Sequence, residues 1–105
     1  MHRGEVWWAN LLSPVGKRPV LLLSRDAAYQ VRTSITVGII TRTIRHIPVE
    51  VPLDADDGMS EKCVVNLDDI MTIPKSFLSE RITTLHCNKM ALVAKAISFA
   101  LDIER

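Results

Sequence analysis

From Val20 to Leu23 the chain is apolar without a break and without the every-second-residue alternation of a half-solvated strand. This block predicts a short strand buried on both faces. Pro19 has no N–H to give to a ladder, so it belongs at the strand's first position or on an edge. Arg18, standing before that proline, is pushed to extended backbone. Glu5 to Leu11 alternates in part and predicts a first strand, with Trp7 and Trp8 on opposite faces, one in the core and one half exposed. Ser34 to Thr41 is rich in β-branched residues, a strand in which Gly38 marks a bulge or a close backbone approach. Val49–Val51 reads as a short alternating strand. Cys63–Leu67 and Ile70–Ile73 read as two more, separated or kinked at Asp68 and Asp69, and Arg81–Leu85 as the last.

Between these lie a compact turn at 12–17, a loop or short helical turn at 25–33, a connection at 45–48 and a brief helical turn at 74–78. Asp54–Gly58 is an acidic loop without the spaced ligands and terminal Glu of a calcium loop. From Asn88 the period changes. Met90, Val93, Ala96, Ile97, Ala100 and Leu101 mark an amphipathic helix whose N-cap is either His86 or Asn88. Many short strands followed by one helix predict a mainly β fold, a strongly bent sheet or small, partly open barrel with a C-terminal helix.

A chain of 105 residues is one domain's worth, expected to span 1–105. With 48% apolar and 24% charged residues it is neither disordered nor fibrous. No apolar run nears the roughly 18 residues of a membrane span, and the first residues lack the apolar core of a signal peptide. A cytoplasmic protein with no membrane association is expected. Cys63 and Cys87 fit no metal or CxxC spacing and are expected as buried, reduced thiols. The net charge of +1 conceals a segregation. Residues 1–49 hold seven Lys and Arg against two acidic residues, +5, and the remainder holds six against ten, −4. Such a basic half suits a polyanion, although scattered solvated charges would give the same count.

There is no glycine-rich phosphate loop, no HExxH and no nucleophile elbow, so neither a cofactor nor a metal site is expected. Of the three histidines, His46 alone is close in sequence to Arg42 and Arg45. RNA cleavage would need no nucleophile from the protein, because the adjacent 2′-hydroxyl can attack its own phosphodiester. The protein must hold the phosphate in line and stabilise the extra charge. Arg18, with Thr41 at a neighbouring strand end, suits that task; the general base stays open, since arginine is too weakly acidic to act as one. Lys17, Arg25, Arg42, Thr43 and Arg45 are RNA-binding candidates. Trp8 is the indole available either for stacking on a base or for covering a sheet edge or subunit contact.

At these residues the sequence resembles the MazF/PemK family of toxin endoribonucleases. Arg3 to Leu11 resembles the family's RGEVWWADL-type opening strand, and Lys17 to Asp26 its RPVLVLS-D segment. Val37 to Thr41 is similar to its strand ending in Thr, Cys63 to Ile70 to its later strand pair, and Arg81 to Met90 to its approach to the final helix. The resemblance implies an SH3-like, PemK-like barrel and a cytoplasmic homodimer. It also implies sequence-specific, metal-independent cleavage of single-stranded RNA to 2′,3′-cyclic phosphate and 5′-hydroxyl ends. The family's active-site Arg falls on Arg18 and its active-site Thr on Thr41. A cognate antitoxin, with an acidic C-terminal segment in the RNA groove, is the implied protein partner. The loop before Arg18 is shorter than in many members and lacks their Ser-Glu-Gln carboxylate. The alternative is a CcdB-like toxin of related architecture that binds DNA gyrase without catalysis.

Overall fold

In the computed structural model, which describes residues 1–103, the block Val20–Leu23 lies in the middle of a six-stranded antiparallel sheet. The strands are β1 (Glu5–Asn10), β2 (Lys17–Leu22), β3 (Ser34–Thr41), β4 (Glu50–Leu53), β5 (Cys63–Pro74) and β6 (Leu78–Thr84), in the order β4-β5-β3-β2-β1-β6. A four-residue helix, α1 (Ala28–Val31), and the long helix α2 (Cys87–Ala100) complete it. The expected mainly β fold with a C-terminal helix is thus found, as a sheet curled into a half-barrel. Of the expected domain 1–105, Glu104 and Arg105 lie outside the described residues.

Burial on both faces of the central block follows from two hydrophobic clusters. Leu21 and Leu23 join Val6, Ile40, Val65, Leu67, Val93 and Ala96 under α2. Val20 and Leu22 join Ala9, Tyr29, Ile35, Val37 and Ile73 on the other face. Side chains one residue apart on a strand point oppositely, so one run of four apolar residues serves both clusters.

Four expectations are corrected. β2 begins at Lys17 rather than at the apolar block, and Pro19 takes the second of its two expected places, an edge, because Lys17–Pro19 pairs with β1 alone, while β3 joins only at Val20–Leu22. That half of the strand is locally an edge, where a missing N–H costs no ladder bond. The two strands expected at 63–67 and 70–73 are one, β5. Opposite it, Gly38 pairs with Ile70 and the next residue, Ile39, with Asn66, so Leu67, Asp68 and Asp69 bulge out and the sheet bends there. Gly38 is also a close approach: a Cβ there would sit 3.1 Å from Val65 Cγ1. Finally, Trp7 and Trp8 are both half-buried, beside the edge strand β6 where cover is thin, and Cys87 is exposed at the first turn of α2 while Cys63 is buried.

The acidic loop folds into a capped 3-10 turn. Asp54 accepts from the Asp56 N–H and the Asp57 carboxylate accepts from the Asp54 N–H, with Gly58 closing the turn at φ +90°. His86 occupies the N-cap position of α2 without a side-chain cap bond. No helix of the described residues is long and apolar enough to cross a membrane.

Candidate active site

The antiparallel pairing of β2 with β3 matches Val20 with Ile39, Leu21 with Gly38 and Leu22 with Val37. Extended two residues beyond Val20–Ile39, past the end of the ladder, the same register sets Arg18 opposite Thr41. The ladder opens at this end, and a groove of about 990 Å³ occupies the opening. Its lining includes Trp8, Lys17, Arg18, Thr41, Arg42 and Thr43. Six of the eight residues singled out in the sequence are therefore brought together.

Local bonds fix these groups. Thr41 Oγ1 accepts from the Thr43 N–H at 3.2 Å, shaping the turn that carries Arg42. Glu50 Oε1 accepts from the N–H groups of Arg45 (2.9 Å) and His46 (3.0 Å), the latter at φ +56°, and so ties the far end of the same loop to β4. Lys17 Nζ stands 5.2 Å from the centroid of the Trp8 ring, a cation–π contact across the β1–β2 pair.

Arg25 and Arg45 do not line the groove. Arg25 follows the C-terminal end of β2, whereas Arg18 is near its start, so seven residues of largely extended chain, roughly 23 Å, separate them. Arg45 sits beyond the turn at Thr43, exposed, on the loop held by Glu50. No histidine lines the groove either: His2 is near Asp26, His86 begins α2 and His46 is on the Glu50 loop.

The far wall was not legible in the sequence. It is the stretch Gly58, Met59, Ser60, Glu61 and Cys63, with Ile82. Thr41 pairs with Val64, which returns the residues just before β5 to the end of β3. Among the described residues Glu61 is the single carboxylate of the lining, and its Oε2 accepts from Arg42 Nη1 at 3.2 Å. Cys63 is a buried, free thiol. Burial, reinforced by the carboxylates of Asp57, Glu61 and Asp54, pushes its thiol up and keeps it protonated near neutrality. Among the described residues three cations, Lys17, Arg18 and Arg42, against one carboxylate give the groove an excess of two positive charges.

Chemically, the groove offers guanidinium and hydroxyl donors at facing strand ends, cations on either side, and an aromatic face. Such a set suits an oxyanion on a polyanionic chain. Residues 2–101 match the family model described as PemK-like, MazF-like toxin of type II toxin-antitoxin system. The chain belongs to this toxin family. A probable endoribonuclease MazF5 of Mycobacterium tuberculosis is 36% identical over 104 residues, 98% of this chain and 94% of that protein. The structure of Mycobacterium tuberculosis toxin MazF-mt6 superposes with a TM-score of 0.89 at 35% identity, covering 96% of this chain and 99% of the other. An endoribonuclease in complex with its cognate antitoxin, from a mycobacterial species, also gives 0.89, at 26% identity over 100% and 98% of the two chains. The matched span, residues 2–101, includes the strand ends that hold Arg18 and Thr41 as well as the core beneath them.

Proposed function

We propose that this chain is an RNA-cleaving toxin whose groove cuts single-stranded RNA at a short preferred sequence, without a metal. The observation that carries the reading is that Arg18 and Thr41 line one cationic groove, in a chain whose relatives are named endoribonucleases. The gyrase-binding alternative is not favoured by these relatives.

In the proposed reaction the ribose 2′-oxygen forms a bond to phosphorus, its proton is lost, and the bond from phosphorus to the 5′-oxygen breaks as that oxygen gains a proton. The products are a 2′,3′-cyclic phosphate and a 5′-hydroxyl. Arg18 contributes charge stabilisation where the non-bridging oxygens gain negative charge, and Thr41 orients the same phosphate by its hydroxyl. Lys17, Arg42 and Thr43 hold neighbouring phosphates, and Trp8 stacks on a base once Lys17 leaves its face. Arg25 and Arg45 touch RNA only where it runs past the groove. An acidic segment of a cognate antitoxin fits the same cationic lining, as does a homodimeric, cytoplasmic protein the family pattern.

The test is incubation of the purified protein with a long single-stranded RNA in EDTA, with new 5′ ends mapped. Discrete cuts are expected, reduced by about 100-fold or more in Arg18→Ala, and also reduced in Thr41→Ala. Full activity in both folded variants would remove the assignment.

A further inference from the structure

Glu61 is out of keeping with the rest of the groove. Trp8, Lys17, Arg18 and Arg42 present donors, and Thr41, Thr43 and Ser60 present hydroxyls that donate or accept, but Glu61 accepts only. A phosphodiester chain offers oxygen acceptors and negative charge along its length, and a carboxylate beside it is repelled. Glu61 has a partner in the free protein, Arg42, at 3.2 Å, yet both side chains are largely exposed, so the pair is weak. A phosphate arriving at Arg42, next to Thr41, takes that partner away. The carboxylate is then free to accept from a donor on the nucleic acid.

Away from the backbone, the N–H donors of RNA are the exocyclic amino groups of cytosine, adenine and guanine and the ring N–H of guanine and of uracil. Uracil has no amino group. Its one N–H lies between two carbonyl oxygens whose lone pairs would face the carboxylate. Glu61 is also held in a defined place. Its segment starts at the capped turn Asp54–Asp57, fastened by Thr83 Oγ1 donating to the Asp57 carbonyl at 3.0 Å and by Lys89 at 3.4 Å from the Asp57 carboxylate. It ends two residues later in β5. A short stretch tied at both ends can carry a reading side chain.

We propose that Glu61 is a specificity-determining residue, accepting a hydrogen bond from an amino-bearing base at one position of the cleaved sequence and excluding uracil there. This rests on the RNA-cleaving reading above.

The experiment maps cuts in a pool of RNAs randomised around the cleavage site, for the unaltered protein, Glu61→Gln and Glu61→Ala, each checked for folding. At one position the unaltered protein should disfavour uracil by about tenfold. Glu61→Gln, whose amide can also donate to a uracil carbonyl, should admit uracil there, and Glu61→Ala should flatten the preference at that position, with the other positions retained. Identical sequence profiles in all three proteins would overturn the proposal. So would a uniform loss across sequences together with the acid limb of the pH–rate profile, which would make Glu61 a general base. A uniform gain would make it only an electrostatic brake and overturn it equally. Absence of cutting by the unaltered protein would instead refute the RNA-cleaving reading, and this proposal would fall with it.

Discussion

Gly58, at the turn between the acidic loop and the groove wall, should be among the least replaceable positions in the chain. Its φ of +90° is left-handed, and a Cβ built there overlaps the Thr83 hydroxyl and comes within 2.8 Å of Thr83 Cβ. For Gly58→Ala the left-handed backbone costs about 1–2 kcal/mol. Displacing Thr83 from a packed site costs about 1–3, and loss of its bond to the Asp57 carbonyl about 1. The sum is about 3–6 kcal/mol, a large share of the 5–15 typical of a whole domain. Gly16 isolates the backbone term, since it has φ +72° with nothing within 4 Å of its would-be Cβ. Gly16→Ala should lose only about 1–2 kcal/mol. With a urea slope of roughly 2 kcal/mol/M, the unfolding midpoint should fall by about 2 M in Gly58→Ala and by less than about 1 M in Gly16→Ala. Adding Thr83→Ala to Gly58→Ala removes the overlapping hydroxyl and should recover part of the loss, a coupling visible in a double-mutant cycle. Equal midpoints for the two alanine variants, or purely additive losses with Thr83→Ala, would refute the steric reasoning.

Glu50→Ala removes the acceptor that holds the Arg45 and His46 N–H groups, worth about 2 kcal/mol for bonds to a charged oxygen; amide exchange at both residues should accelerate, and unchanged exchange would contradict the tie. Glu5 has a pH signature. Burial on its own would raise its carboxyl, but the Trp7 indole N–H at 2.9 Å, a backbone hydrogen bond at His2, the N-terminal charge and Arg81 outweigh it and hold the group below 4.5. A group more acidic folded than unfolded adds stability above about pH 4.5, and that contribution fades as pH falls through the folded value. Urea midpoints between pH 6 and pH 3 should therefore drop less steeply in Glu5→Gln than in the unaltered protein, and parallel curves would count against this. Trp8→Ala should weaken RNA binding more than Trp8→Phe, by on the order of 1–3 kcal/mol per stacked base, in a filter-binding titration; equal affinities would exclude stacking.

Strand existence was legible wherever β-branched residues cluster, as in Ser34–Thr41, because such side chains are suited to a pleated, packed surface. The α2 helix was legible from its spacing. Pairing was not. Ser24-Arg25 and Thr41-Arg42 look alike in the chain, each a hydroxyl and an arginine after an apolar run, yet β2 and β3 are antiparallel and deliver them to opposite ends of the sheet. Arg18, near the start of β2, lines the same groove as Thr41. The far wall was hidden for the same reason. Met59, Ser60 and Glu61 carry no periodicity, and only the pairing of Thr41 with Val64 returns them to the site. β5 was read as two strands because Asp68 and Asp69 look like a break, and its continuity depends on a bulge accommodated opposite Gly38.

The most direct test of the central claim uses one RNA carrying a mapped cut and a second, identical except for a single 2′-deoxyribose on the 5′ side of the scissile phosphate. Both are incubated with the unaltered protein in EDTA. Cleavage by 2′-oxygen attack predicts a 2′,3′-cyclic phosphate and a 5′-hydroxyl from the first RNA and no cut at that phosphate in the second. A cut at the deoxy position, or products ending in a 3′-hydroxyl and a 5′-phosphate, would contradict the assignment of the Arg18–Thr41 groove to this reaction.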